Sequence, residues 1–113
     1  MEKLRDQHEK TFLMKSDPVL LALGALFSRC EHLERAALFG SRARGNFSER
    51  SDYDIAVFGT IPEIAKLQLR SACREGLPTL HKIDLIFADE VTDEKFMQSI
   101  LKEGVTFYDK TAK

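Results

Sequence analysis

Apolar residues recur along this chain in short blocks, and their spacing switches between helical and strand-like. Asp17-Pro18 reads as a helix start, an N-capping aspartate followed by proline at the first helical position. Leu23, Leu26, Phe27, Cys30 and Leu33 follow at helical spacing, which predicts a helix over 18–33 with one buried face. Ala36, Ala37, Leu38 and Phe39 predict a first strand over 36–40, and Ser41 to Gly45 a single helical turn. A second strand is predicted over 53–58, stopped by Gly59. Thr60 and Glu63 have the spacing of a capping box with Pro62 in the first turn. Ile61, Ala65, Leu69 and Ala72 line one face of the helix that follows, which stops at Gly76 with Pro78 just beyond. Ile83 to Phe87 is a third strand. Thr92 caps a last helix through Glu103, with Phe96, Met97, Ile100 and Leu101 turned inward, and Val105 to Tyr108 is a closing extended segment.

Connection lengths suggest how the strands pair. The link between the first two strands is too short for a helical crossover, which favours an antiparallel pair. The link between the second and third holds a full helix, which favours a parallel pair joined right-handedly. The expected fold is α/β: a small mixed β-sheet covered by helices.

Composition narrows the class. The chain has 113 residues and 12.9 kDa, enough for one modest core, read as a domain over 17–108 with an N-terminal arm or weak helix over 1–16 and a tail over 109–113. Lys and Arg number 17 against 18 Asp and Glu, a net charge of −1, so direct nucleic-acid binding is not expected. The longest apolar stretch, Val19 to Phe27, is too short to cross a bilayer, and the charged N-terminus does not read as a signal peptide. Cys30 and Cys73 lack any metal or disulfide spacing, which fits two buried thiols in a reducing cytoplasm.

The chemistry gathers between Phe39 and Val57. Gly40-Ser41 follows the first strand, three arginines (Arg42, Arg44, Arg50) stand in the loop, and Asp52 and Asp54 alternate at the entrance of the second strand. Alternate strand residues share a face, so these two carboxylates are neighbours. Paired acids call for a cation, and hard divalent ions such as Mg²⁺ bind oxygen ligands of this kind, often beside a phosphate. A glycine lets backbone N–H groups approach an anion. The expected pairing carries Asp84 of the third strand to the same sheet end. Taken singly, each feature has a plainer reading: Asp-x-Asp as a solvated turn, Gly-Ser as an ordinary turn. Asp84, flanked by Ile83 and Leu85, is harder to set aside, because a buried carboxylate needs a partner. His8 and His32 read as surface helix residues, His81 as a strand-edge histidine, and Tyr53, Phe107 and Tyr108 as packing.

Gly40-Ser41-x-x-Arg44-Gly45, Ser51-Asp52-x-Asp54 and an apolar-flanked Asp84 together resemble the DNA polymerase β-like nucleotidyltransferase superfamily. The small size points to its minimal nucleotidyltransferase branch, the antitoxin-type companions of HEPN proteins in toxin–antitoxin pairs. The resemblance implies that Asp52, Asp54 and Asp84 hold two Mg²⁺ ions and carry catalysis. It implies that Gly40, Ser41, Arg44 and Ser51 bind the nucleotide, with Arg44 touching phosphate or bracing the loop against a carboxylate. For Arg42 and Arg50 a solvated surface charge is the expectation. The implied reaction moves AMP from ATP to a HEPN-type or related helical-bundle partner, in a hetero-oligomer and away from membranes. The competing readings are a non-catalytic antitoxin that masks its partner and a small-molecule nucleotidyltransferase working with a separate substrate-binding subunit.

Overall fold

The computed structural model describes residues 17–48, 50–77, 79 and 81–111. The expected N-terminal arm, His8, Pro78 and the last two residues of the tail lie outside the described residues. In chain order the elements are α1 (Pro18–Phe27), β1 (Arg35–Phe39), α2 (Gly40–Arg44), β2 (Tyr53–Phe58), α3 (Glu63–Glu75), β3 (Ile83–Phe87), a 3₁₀ turn (Ala88–Glu90), α4 (Glu94–Glu103) and β4 (Val105–Asp109). The four strands form one mixed sheet in the order β3-β2-β1-β4. β1 pairs antiparallel with β2 and with β4, and β2 pairs parallel with β3. Both expected pairings are observed, and the fold is the expected small mixed sheet with helical cover.

Strand alternation divides the sheet into two unlike faces. Ala36, Leu38, Tyr53, Ile55, Val57, Leu85, Phe87 and Val105 form one core with Val19, Leu20, Leu23 and Phe27 of α1 and Leu69 and Cys73 of α3. Phe27 and Leu23 are fully buried there, each worth roughly 1.5–3 kcal/mol of transfer free energy. The opposite face carries Ala37, Phe39, Asp54, Ala56, Asp84 and Ile86, residues that face one another across the ladders. α4 covers part of it, through buried Ile100 and an edge-to-face Phe39–Phe96 contact with centroids 6.1 Å apart.

Four local expectations need correction. α1 stops at Phe27, not at residue 33: Arg29 N–H donates to Leu26 O and Cys30 N–H to Phe27 O, tight turns that end the helix. Leu33 is still buried, and Cys30 only half so. α3 has no Thr60 cap; Pro62 occupies the cap position, and the Asp89 carboxylate accepts from Ile61 N–H instead. Asp93, not Thr92, caps α4, accepting from Lys95 and Phe96 N–H. On α4 only Ile100 is buried; Phe96 and Leu101 are exposed, so most of the expected apolar stripe does not reach the core.

Among the described residues no helix is long and apolar enough to cross a membrane. At the far end of the sheet from Asp84, Lys66 of α3 is buried and ion-paired with Glu63 (3.6 Å), Asp89 (2.9 Å) and Glu90 (2.9 Å).

Candidate active site

The site begins with strand register. Asp54 and Asp84 are direct partners across the parallel β2–β3 ladder, and Phe39 faces Asp54 across the antiparallel β1–β2 ladder. The chain therefore turns into α2 at Gly40, immediately beside Asp54. Gly40 has φ +76°, and a Cβ there would lie 2.3 Å from Asp54 Oδ2. Only glycine satisfies both conditions. α2 is a single turn closed by Gly45 at φ +86°, and helix-start N–H groups lack intrahelical partners. Ser41 is half-buried at that start.

Asp52 is exposed, just ahead of β2, while Asp54 and Asp84 are half-buried. Burial pushes the Asp54 carboxyl above the usual carboxylate range, and the negative charges of Asp84 and Asp52 push it further, against the opposing pull of Arg44 and Lys82. The three acids thus share one electrostatic environment, with two cations at its margin. Their oxygen donors suit a hard divalent cation. Among the described residues no group of three acidic, histidine or cysteine side chains is gathered into a metal cage, so the fit rests on donor chemistry and register.

The remaining expected residues take varied places. Arg44 is exposed and pairs with Glu103 of α4 at 3.2 Å, which braces the turn against that helix. The Ser51 hydroxyl accepts from Ser48 N–H, and its carbonyl accepts from Arg42 Nε at 3.0 Å, so Ser51 shapes the loop that delivers Asp52. Arg50 is exposed, as expected. Arg42 is not: it is buried, with its guanidinium 4.0 Å from the Tyr53 ring centroid and 4.7 Å from that of Phe47. The surface-charge expectation fails because two aromatic rings cover the cation.

Sequence reasoning also missed how far the capping aspartate reaches. Asp17 Oδ1 accepts from Val19 and Leu20 N–H, while Oδ2 accepts from the Tyr53 hydroxyl at 2.9 Å. Burial, then this bond to a carboxylate, raise the Tyr53 pKa to about 12. Tyr53 points into the core, away from Asp54, as expected. His81 sits against it, ring centroids 5.7 Å apart. Beside Asp84 an open cavity of about 640 Å³ is lined by Arg70 and Arg74 of α3, by His81 and Lys82, and by Ile83 to Ile86 of β3. The arginines gave no sequence signal, since only the α3 crossover brings them to that strand.

The family profile described as "Polymerase beta, Nucleotidyltransferase" matches residues 22–113. No curated protein matches significantly. Among solved structures, a toxin–antitoxin crystallised with AMP-PNP is similar at TM-score 0.61 and 23% identity, over 81% of this chain and 72% of that one. A complex of a tri-AMPylated Shewanella oneidensis HEPN toxin with its MNT antitoxin aligns at TM-score 0.52 and 19% identity, over 92% and 73%. A protein of Sulfolobus solfataricus described as a nucleotidyltransferase aligns at TM-score 0.51 and 23% identity, over 97% and 93%. At these identities the likeness is one of fold.

Proposed function

This chain belongs to the polymerase beta nucleotidyltransferase family, and on that premise we propose that it transfers AMP from ATP to a hydroxyl of a HEPN-type partner, acting as that partner's antitoxin. The observation that carries the reading is the Asp54–Asp84 pairing, with Gly40 leaving room for the Asp54 carboxylate at the phosphate-facing turn. Asp52, Asp54 and Asp84 would hold two Mg²⁺ ions. Bound there, Mg²⁺ supplies Lewis-acid neutralisation of the phosphate charge.

In this reading the N–H groups of Gly40 and Ser41 orient the triphosphate, and Arg44 adds positive charge at its edge. The acceptor oxygen attacks the α-phosphorus in line. A new O–P bond forms, the bond to the bridging oxygen breaks, pyrophosphate leaves, and Asp84 receives the hydroxyl proton. A partner protein as acceptor is supported by the structural neighbour in which an AMPylated HEPN toxin is bound to an MNT antitoxin. The masking reading has one observation in its favour: Leu21, Ile64 and Leu67 stand exposed on α1 and α3.

The test is transfer of label from α-labelled ATP with Mg²⁺ to a co-expressed partner, comparing wild type with the Asp52→Asn, Asp54→Asn double variant. A labelled partner that disappears with the double variant supports the reading. Equal neutralisation by both forms without label would move the assignment to masking, and a labelled small product to small-molecule transfer. Mg²⁺-ATP at a hundred times its Kd is expected to stabilise the wild type by about 2.7 kcal/mol.

A further inference from the structure

We propose that the cavity beside β3 receives an extended acidic polypeptide segment, which carries the acceptor hydroxyl to Asp84. This rests on the nucleotidyl-transfer reading. Across one sheet end the turn at Gly40 follows β1, Asp54 stands on β2 and Asp84 on β3. β3 is one of the two edge strands, and among the described residues the sheet has no further strand beyond Asp84. If phosphates lie at Gly40, the acceptor's side is the other one.

The cavity is there, and its lining identifies the chemistry. Consecutive residues Ile83 to Ile86 contribute to it, although alternate side chains point to opposite faces; the cavity therefore runs along the strand's edge. An edge offers unpaired backbone N–H and C=O groups that an extended peptide can complete. Three cations line it, Arg70, Arg74 and Lys82, against a single acid, Asp84. Among the described residues none of the first three has a carboxylate within 4.0 Å, whereas Lys66, one turn before Arg70, has three. Arg70 is held with its guanidinium 4.6 Å from the Phe87 ring centroid, which limits the rotamer freedom lost on binding. With a chain charge of −1 this positive character is local. A nucleic acid would satisfy the charge but not the strand edge, and an acidic peptide satisfies both.

Fluorescence anisotropy with a labelled alternating Glu–Tyr peptide tests the proposal, using a Lys–Tyr peptide of equal length and a single-stranded RNA homopolymer as competitors in kind. The full chain is compared with an Arg70→Gln, Arg74→Glu variant, and with Arg74→Glu alone should the double variant fold poorly. The expected result is salt-sensitive binding of the Glu–Tyr peptide by the wild type, weakened at least tenfold in the variants, with no comparable binding of the other two probes. Absence of binding, equal binding by the variants, or RNA bound as tightly overturns it. Stabilisation by Mg²⁺-ATP, measured on the same samples, reads the nucleotide site separately: its absence beside retained peptide binding would sink nucleotidyl transfer and leave the cleft standing.

Discussion

At the scale of single residues, Gly40 and Asp54 constrain each other. Gly40→Ala meets a left-handed φ and a carboxylate oxygen where its methyl must go. The backbone cost alone is roughly 1–2 kcal/mol; chemical denaturation is expected to show at least that loss, together with loss of the proposed transfer activity as Asp54 is displaced. Asp54 itself strains the fold. Its native carboxyl has a raised pKa, so between the ordinary value of 3.8 and the raised one the native state holds more protons than the unfolded chain. Stability then falls as pH rises through that window. Asp54→Asn is expected to melt higher than wild type at neutral pH in metal-free buffer while losing the proposed activity, with the gain fading as pH drops to 3.8 and below. A lower melting temperature at neutral pH would contradict this. These acids were legible in the sequence because carboxylates interrupt apolar strands, a pattern that packing does not produce. The burial of Arg42 was not legible, since Phe47 and Tyr53 reach it only through the loop's path.

At the scale of elements, Asp17 ties α1 to β2. Its capping role was readable from Asp17-Pro18; its bond to Tyr53 is a tertiary contact that no local pattern encodes. Asp17→Ala removes both, for an expected loss of about 1–2 kcal/mol. Spectrophotometric titration supplies a second readout. The Tyr53 midpoint is expected to fall from about 12 but to stay above 10.0, because burial, the larger cause, remains. The raised phenol contributes stability below its ordinary value that is lost as pH climbs towards 12, and this alkaline loss is expected to be smaller in the variant and complete at a lower pH. Strand positions were legible almost to the residue, since apolar runs bounded by Gly40, Gly59 and Gly104 leave little freedom. Helix ends were less so. The apolar spacing that extended α1 to Leu33 was real burial, but of a turn folded under the sheet rather than of a helix.

At the scale of the whole molecule, the proposed site occupies one end of the sheet and a structural anchor the other. Lys66 draws Glu63, Asp89 and Glu90 together beyond the end of β3, and hydrogen bonds to Glu90 and Asp89 hold its pKa above the ordinary lysine value. Lys66→Met is expected to lower the melting temperature while leaving Mg²⁺-ATP stabilisation intact; a lost nucleotide response would mean the two ends are coupled. The stability from Lys66 is complete below its ordinary value of 10.5 and is lost as pH rises past it. The pairing of Asp54 with Asp84 also bears on when the chain becomes competent. It lies across the parallel ladder that closes only after α3 has crossed the sheet, the most distant strand pairing between sequence neighbours here. A slip of one residue in that ladder would turn Asp84 into the apolar core. Local contacts form before such non-local pairings, so during refolding from urea the ability to respond to Mg²⁺-ATP is expected to return last, after the β1–β2 hairpin is protected from hydrogen exchange. On the proposed function, a newly made chain would pass through its early, half-ordered life without a working site, and the first moment it could engage nucleotide would be the moment its strands are correctly aligned.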